Sequence, residues 1–473
     1  MHILFAASEA VPFIKTGGLA DVVGELPQYL VKSGNKVSVV LPKYKSINSE
    51  LLEDSKLVKY FDVYMNNAKL YAGIIHLFKD GINYYFVDNE SFFYRDQIYG
   101  YDDDDSRFGF FCLSIMEMIS HLKLDVDVIH ANDWQTGPLA MLYYERYHQY
   151  PYYENIKWVF TIHNPAYQGL FDKNVVSRIF GLDMNLYHNG TLRFKDAFSF
   201  LKVGIVYANK ITTVSPTHAK ELLEPEYAHG LENVIRLRSQ DLVGILNGID
   251  YKKYNPLTDS KIGVNYRNSY RKKLLNKKAL QEQCHFKVDE NIPLVAIVSR
   301  LTWQKGIDLI VPNIENLINK GIQLIVLGSG DKQYEDDLRY FANKFPQSVY
   351  AYIGFSDELA HQIYAGTDIL LMPSLFEPCG ISQMIALRYG TIPLVRETGG
   401  LSDTVIPYNE YTGEGNGFSF RNFDYKDLSI VLDYALKQYN NKDVWNLLFK
   451  NALKSNYSWN QSSKKYLELY KSL

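Results

Sequence analysis

The chain is poor in cysteine. Its 473 residues include only three cysteines, Cys112, Cys284 and Cys379, which stand far apart in the sequence. Such scattered thiols do not form a disulfide framework, and they lack the close spacing of a cysteine-ligated metal cluster. So few cysteines are typical of a protein from a reducing compartment, and we expect a cytoplasmic location.

Long apolar runs and an excess of charge of either sign are also missing. No run approaches the ~18 to 20 apolar residues that a membrane-spanning helix needs, and residues 1–7 lack the basic start of a signal peptide. A formal net charge of -3 gives little attraction for nucleic acid or for an anionic membrane. We therefore expect neither partner. The length predicts two or three globular domains.

The first 250 residues alternate between short apolar runs and helical patterns, as in an open parallel sheet flanked by helices. The pattern predicts strands over 2–7, 36–41, 126–130, 158–162, 210–215 and 243–246, a strand pair over 81–89, and helices over 19–30, 108–121 and 198–208. Ligands of such sheets gather at the carboxyl ends of the strands. We therefore expect a binding site there.

Polar and aromatic residues follow the predicted strand ends, namely Glu9, Lys15, Asp21, Asp133, Trp134, His163 and Asn164. Some have an ordinary alternative role, such as a solvated loop charge for Lys15, a helix-capping carboxylate for Asp21 or a packing residue for His163. Their concentration after successive strands favours a site.

The acidic run 102–105 is most simply a solvated loop that caps the helix over 108–121. Metal binding is the alternative, but four consecutive carboxylates lack the alternate spacing of a calcium-binding loop. We therefore expect no metal site.

A polar, lysine-rich stretch from 251 to about 260 predicts a linker. A second sheet follows, with strands predicted over 294–298, 323–327, 349–353, 369–372 and 392–395 and helices between them. This pattern predicts two Rossmann-like domains, 1–250 and 251–455, and a terminal helix within 456–473 that crosses back to the first domain. Residues 16–21 and 398–403 repeat one glycine-turn pattern, which indicates the same turn in each half or a coincidence.

The loop Glu377-Pro378-Cys379-Gly380 lies between a predicted strand and a helical pattern that starts near Gly380 and stops at Gly390. Unpaired N–H groups at the start of that helix favour an anion in the loop. A carboxylate beside an anion site is unexpected unless it faces a sugar hydroxyl or a developing cation. Glu377 is therefore a candidate for chemistry.

Six ordered motifs resemble those of bacterial glycogen synthases and plant starch synthases. They lie at 15–22, 130–134, 161–164, 246–250, 299–306 and 377–405, so the resemblance covers nearly the whole chain. It implies an α/β protein of the GT-B fold, two Rossmann-like domains with parallel sheets facing a deep interdomain cleft. It also implies transfer of glucose from ADP-glucose to the non-reducing 4-hydroxyl of glycogen or another α-1,4-glucan, with retention of anomeric configuration and without a cofactor or metal.

The resemblance carries site roles to the matching positions. It implies catalytic roles for Glu377, His163, Arg300 and Lys305. It implies substrate contacts for Lys15, Gly18, Glu9, Asp21, Asp133, Trp134, Asn164, Asn247, Phe355, Cys379, Gly380, Ile381 and Ser382. Taken alone, Arg300 and Lys305 also fit a surface basic pair, but they suit a diphosphate leaving group.

Three residues depart from the family pattern. Ile381 and Ser382 stand where Leu-Thr is common, and the hydroxyl for phosphate is kept. Phe355 stands where a tyrosine commonly stacks on the nucleobase. The stacking face is kept, but a hydroxyl contact is lost, which leaves the base preference open.

Other functions compete with this one. A nicotinamide dehydrogenase needs a complete Gly-x-Gly-x-x-Gly turn, but Gln333 replaces the third glycine after the turn at 328–330. A glucan phosphorylase shares the general fold but needs a pyridoxal-bearing lysine motif, which we do not find. A catalytically silent glucan-binding protein needs no charged residues to hold a phosphate group, so the presence of such residues in the sequence argues against this alternative. The nearest alternative is a sibling transferase that uses another nucleotide-sugar or a smaller acceptor.

Overall fold

A computed structural model describes residues 1–65 and 68–473 of the chain. These residues form two compact units, one of Met1–Ile245 with Trp459–Leu473 and the other of Leu246–Ser458. Each unit has a hydrophobic core around a β-sheet. Among the described helices, none is long and apolar enough to cross a membrane.

The first unit is built on a nine-stranded sheet and a small three-stranded one. Its strands are β1 (His2–Ala6), β2 (Lys36–Pro42), β3 (Lys56–Met65), β4 (Ala68–Lys79), β5 (Ile82–Asp88), β6 (Val128–Asn132), β7 (Lys157–Ile162), β8 (Leu170–Phe171), β9 (Arg193–Phe194), β10 (Ala197–Ser199), β11 (Lys210–Thr213) and β12 (Leu242–Gly244). The large sheet has the order β12-β11-β7-β6-β1-β2-β5-β4-β3. Strands β8, β9 and β10 pair antiparallel.

The predicted parallel strands are confirmed, but one edge of the large sheet is not as predicted. Strand β1 is buried along its whole length, as expected of a strand covered on both faces. Residues 81–89 hold one strand, β5, instead of a pair, and the hairpin of β3 and β4 joins it antiparallel. From Tyr60 to Met65, strand β3 alternates exposed and buried residues, which is typical of an edge strand with one solvated face. The sheet is therefore mixed, and the sequence prediction missed this hairpin.

The helices of the first unit surround the large sheet. They are α1 (Gly18–Lys32), α2 (Glu90–Phe93), α3 (Asp104–His121), α4 (Pro138–Leu142), α5 (Val175–Arg178), α6 (Asn185–His188), α7 (Phe200–Tyr207), α8 (Pro216–Glu221), α9 (Pro225–Ala228) and α10 (Glu232–Leu237), with the last helix of the chain, Trp459–Lys471. In that last helix, which packs against α1, Trp459 and Tyr466 are fully buried, and the Trp459 indole N–H donates to the Glu25 carboxylate.

The acidic run is the predicted solvated loop only in its first half, because Asp102 is exposed in the turn before α3. Asp104 and Asp105 are buried in the first turn of α3. The Asp104 carboxylate lies 2.5 Å from the guanidinium of Arg107, and Asp105 pairs with Arg178. Buried carboxylates are tolerated when guanidinium groups neutralise them, so the run fixes the start of α3.

The second unit contains one parallel sheet in the order β15-β14-β13-β16-β17-β18. Its strands are β13 (Leu294–Val298), β14 (Gln323–Gly328), β15 (Val349–Ile353), β16 (Ile369–Met372), β17 (Ile392–Arg396) and β18 (Phe418–Phe420). Its helices are α11 (Tyr270–Gln283), α12 (Ile307–Ile310), α13 (Ile314–Ile318), α14 (Lys332–Lys344), α15 (Asp357–Gly366), α16 (Ser382–Arg388), α17 (Gly399–Thr404), α18 (Tyr425–Asn440) and α19 (Lys442–Lys454), which makes the last helix of the chain α20. The five predicted strands are confirmed, and β18 was not predicted.

Candidate functional site

Glu9 holds the loop that follows β1. Its carboxylate, in a residue that is 3 % exposed, accepts hydrogen bonds from the backbone N–H of Thr16, from the Thr16 hydroxyl at 2.6 Å, from the N–H of Gly17 at 3.3 Å and from the Tyr99 hydroxyl at 2.6 Å. These donors use most of the acceptor capacity of the carboxylate. Glu9 therefore positions the loop that carries Lys15, and its substrate contact stays a prediction.

Lys15 and Asp21 form an ion pair in the same region. The Lys15 ammonium lies 2.7 and 2.8 Å from the two carboxylate oxygens of Asp21, which stands in the first turn of α1. The Lys15 side chain is 47 % exposed, so the pair contributes at most about 1 kcal/mol to stability. Gly18 is the first residue of α1. The Lys15 ammonium is held by Asp21 and is open to an incoming anion.

Asp133 ties the ends of β6 and β7 together. Its backbone has a φ of +57°, a conformation that side-chain-bearing residues rarely adopt. Its carboxylate accepts the backbone N–H of His163 at 2.7 Å and that of Asn164. Burial raises the pKa of Asp133 to about 7 despite these two donors. The strained turn therefore places three predicted site residues together, as the sequence suggested.

The imidazole of His163 is neutral and held in one tautomer. Burial lowers its pKa to about 3. Its Nε2 lies 3.0 Å from Oδ1 of Asn132, whose Nδ2 donates to the backbone carbonyls of Ala6 at 3.2 Å and His130 at 3.0 Å. Because carbonyls only accept, the amide nitrogen must face them, so Oδ1 faces the ring and Nε2 carries the proton. No role was predicted for Asn132 itself, although it lies within the 130–134 motif.

Replacing Asn132 with leucine should release the fixed tautomer of His163, because Nε2 loses the oxygen that accepts its proton. The ring stays neutral, so both of its neutral tautomers should be populated. Nitrogen-15 NMR of the histidine rings should show a proton on Nε2 alone in the parent protein and on either nitrogen in the variant. The exposed His148 is the internal control, with the same signal in both proteins. A His163 that keeps its proton on Nε2 alone in the variant would contradict the assignment.

Trp134 offers less of its indole for stacking than the sequence suggested. Gly169, at a φ of +56°, brings its backbone so close that a Cβ there would lie 2.5 Å from Cε3 of the indole. Phe108 packs edge-on at 5.0 Å between ring centroids. Trp134 still lines a cavity of about 450 Å³ with Tyr101, Tyr167, Phe171 and Gln168. Gln168 is buried, and its Oε1 has no partner among the described residues. The cavity is thus lined mainly by aromatic faces.

Lys305 and Glu377 form a buried ion pair in the second unit. The ammonium lies 2.5 Å from Oε2 of Glu377, which also accepts the hydroxyl of Ser374 at 3.1 Å. Gly306 follows Lys305 with a φ of +73°, and a Cβ there would lie 2.1 Å from the carbonyl oxygen of Pro373. The loops after β13 and β16 therefore pack backbone against backbone. This packing brings together two catalytic candidates that are 72 residues apart in sequence.

Arg300 and Phe355 are the exposed members of the predicted set in this unit. Arg300 is exposed, and its guanidinium makes no hydrogen bond or ion pair with the residues that the structure describes. Phe355, just after β15, is 87 % exposed. Both side chains are available to a ligand.

The loop after Glu377 differs from the prediction in one detail. Helix α16 begins at Ser382 rather than near Gly380, because Gly380 has a φ of +72° and cannot continue a right-handed helix. Burial raises the pKa of the Cys379 thiol to about 12, so this cysteine is a packing residue and a poor nucleophile. Asn247, whose backbone N–H faces the thiol, has a buried Oδ1 without a partner among the described residues.

The turn at 398–400 supports the Glu377 loop. The N–H of Gly400 donates to the carbonyl of Glu377 at 3.1 Å. A Cβ on Gly399 would lie 2.1 Å from that carbonyl oxygen, and a Cβ on Gly400 would lie 2.1 Å from the carbonyl oxygen of Cys379. The related glycine pair of the first unit, at 17–18, also lies at the start of a helix. Gly18 is the first residue of α1, and Gly399 is the first residue of α17.

Replacing Gly400 with alanine should lower the free energy of unfolding by about 1–3 kcal/mol, because the added methyl overlaps the backbone of the Glu377 loop. Urea denaturation measures the change. Gly263→Ala is the matched control, since its Cβ would meet nothing nearer than 3.8 Å. Equal stability of the two variants would show that the turn does not support the loop.

Two protein-family models match the chain in succession. The starch synthase catalytic domain matches residues 2–237, and glycosyl transferases group 1 matches residues 280–446. A glycogen synthase of Clostridium kluyveri is 50% identical over 474 residues, which cover 100% of both chains. A glycogen synthase of Bacillus cereus is 46% identical over 474 residues with the same coverage.

Solved structures match the fold as well. The catalytic domain of starch synthase IV from Arabidopsis thaliana, bound to ADP and acarbose, is 32% identical with a TM-score of 0.92, and the match covers 100% of this chain and 99% of that one. A sucrose-phosphate synthase from Thermosynechococcus elongatus is 16% identical with a TM-score of 0.64, and the match covers 100% of this chain and 98% of that one. At this low identity the match supports a shared fold and nothing more. The chain belongs to the glycogen synthase and starch synthase family of GT-B glucosyltransferases.

Proposed function

We propose that this enzyme transfers glucose from ADP-glucose to the non-reducing 4-hydroxyl of glycogen or another α-1,4-glucan, with retention of the α configuration. The observation that carries the proposal is the buried pair of Lys305 and Glu377, with the free guanidinium of Arg300 in the same unit. Glucosyl transfer from a nucleotide-sugar develops negative charge on the diphosphate and positive charge on the sugar ring. The two cations and the carboxylate have the matching sign for each.

Arg300 and Lys305 hold the diphosphate in this mechanism. As the bond from the anomeric carbon to the diphosphate breaks, its electron pair stays on the phosphate oxygen, and the two cations stabilise that charge. The same phosphate oxygen takes the proton of the acceptor 4-hydroxyl, whose oxygen attacks from the same face. Glu377 binds the donor glucose and balances the positive charge of the oxocarbenium-like state.

The remaining residues bind the two substrates. On the donor side, the Nδ1 lone pair of His163 accepts a hydrogen bond from a glucose hydroxyl. Asn164 and Asn247 form hydrogen bonds with further hydroxyls of the glucose. The residues that line the sugar and phosphate are Cys379, Gly380, Ile381 and Ser382. The free Oδ1 of Asn247 supports its assignment. The loop after β1 and the start of α1 contact the substrates in the first unit. The residues that form or support this contact are Lys15, Gly18, Glu9 and Asp21. Asp133 and Trp134 lie on the acceptor side, and the cavity beside Trp134 supports a glucan there.

Replacing Phe355 with alanine should raise the KM for ADP-glucose by about tenfold and leave kcat within about twofold, because stacking on a base is worth about 1–3 kcal/mol. Steady-state kinetics with glycogen as the acceptor measure both constants. Tyr411→Ala is the matched control, since this aromatic residue in the same unit is 91 % exposed. An unchanged KM in Phe355→Ala would remove Phe355 from the donor site.

The donor is identified by labelled glucose transfer into glycogen. ADP-glucose and UDP-glucose are supplied separately, with a chelator and no added cofactor. We expect incorporation from ADP-glucose, which the ADP in the starch synthase IV structure supports. Incorporation from UDP-glucose alone would contradict the donor assignment, and incorporation from neither would favour a sibling transferase.

A further inference from the structure

A second cavity, of about 490 Å³, lies in the second unit. Its lining includes Arg267, Arg388, Asn255, Leu257 and Leu453, and it contains no carboxylate. None of these residues has a role in the proposed glucosyl transfer. The cavity is therefore a basic pocket with apolar walls that the transfer reaction does not use.

Arg388 is fixed in orientation at one side of this cavity. Its Nε donates to the backbone carbonyl of Tyr254 at 3.2 Å, and Nη2 donates to Oδ1 of Asn255 at 3.4 Å. The guanidinium also lies 4.4 Å from the ring centroid of Tyr251. A guanidinium has five N–H donors, so three remain for a ligand. Because its neighbours already hold the group, a ligand loses little side-chain freedom on binding it.

Arg267 supplies the second positive charge. Its side chain is exposed, and its guanidinium makes no hydrogen bond or ion pair with any of the described residues, 1–65 and 68–473. Arg388 likewise has no carboxylate partner in that part of the chain. By contrast, Arg95, Arg107 and Arg178 each pair with an aspartate. Two guanidinium groups at one cavity without a counter-charge favour an anion.

We propose that this cavity binds a small phosphomonoester, with the phosphate between Arg267 and Arg388 and the organic group against Leu257 and Leu453. Guanidinium groups match phosphate oxygens in geometry and charge, and the volume falls in the range of small-molecule sites. Arg388 is the last residue of α16, and the seven residues of that helix span about 10 Å. The site is thus distinct from the Glu377 loop but joined to it by one helix.

Residue-resolved arginine modification tests the proposal. Phenylglyoxal modifies exposed arginines, and peptide mass spectrometry reports the rate at Arg267. Phenyl phosphate at ten times its dissociation constant should slow that rate about tenfold, because protection follows occupancy. Arg271, exposed four residues further on and outside the cavity lining, is the internal control and should react at an unchanged rate.

Three further measurements complete the test. Inorganic phosphate should protect Arg267 only at higher concentration, and phenol should not protect it. Arg388→Lys, which keeps the charge but loses the planar fork, should require about tenfold more phenyl phosphate for the same protection. Equal protection of Arg267 and Arg271, or none at either, would overturn the site. Equal potency of inorganic phosphate would overturn the placement of the organic group.

Discussion

Replacing Lys305 with alanine should lower kcat/KM for glucosyl transfer by about 10²- to 10³-fold, the loss typical when one preorganised charge at a developing anion is removed. Its ammonium is the cation that the structure places 2.5 Å from Glu377, and the two side chains are 15% and 8% exposed. In this largely dry setting no water molecule replaces the lost charge at equal strength. Steady-state kinetics with ADP-glucose and glycogen measure the effect.

The same change also leaves the Glu377 carboxylate buried without its partner, which typically costs about 3–5 kcal/mol of stability. The double variant Lys305→Ala with Glu377→Ala separates the two effects, because it should recover stability without recovering activity. Lys332→Ala, an exposed lysine of the same unit without an ion pair in the described chain, controls for loss of surface charge. Near-normal turnover by a folded Lys305→Ala enzyme would exclude the assigned role.

Replacing Glu377 with alanine should reduce kcat by about a thousandfold while ADP still binds, because the carboxylate acts on the sugar and on its developing positive charge. The phosphate contacts of Arg300 and Lys305 do not need it. Removing a negative charge beside the diphosphate should even favour the nucleotide. Calorimetric titration with ADP measures binding, and single-turnover transfer measures the chemical step.

Glu377→Gln is the sharper variant. It keeps the shape of the side chain and an oxygen for Ser374, so the loop stays in place, but it removes the negative charge. We expect it to bind ADP at least as tightly as the parent enzyme and to lose nearly as much turnover as the alanine variant. Glu358→Ala, at an exposed position in the same unit, should keep full activity. Full activity of Glu377→Gln would show that the charge is not needed.

The parallel strands and the residues at their ends were predictable from the sequence because each follows from local pattern. A strand buried on both faces, such as β16, is a continuous apolar run, and the predicted site residue Glu377 lies in the loop that follows it. The match of several motifs to one family then supplied roles that no single motif supports. The catalytic roles of Glu377, Lys305 and His163 were predicted in this way.

The contacts that depend on distant side chains were not predictable. The sequence suggested a solvated loop at Asp105 because its guanidinium partner, Arg178, lies 73 residues away and is revealed only by the fold. Asn132 was overlooked because its role depends on two backbone carbonyls and on a ring 31 residues away. The hairpin of β3 and β4 was missed because β3 begins with several exposed residues and shows alternation only from Tyr60.

The proposed transfer is tested most directly by NMR of the product formed from ADP-[1-¹³C]glucose and a short α-1,4-glucan. We expect a new anomeric carbon signal of an α-1,4-linked glucose, in equal amount to the ADP released, with the parent enzyme and not with Glu377→Gln. A β-linked product, release of free glucose in place of transfer, or the same yield from Glu377→Gln would contradict it.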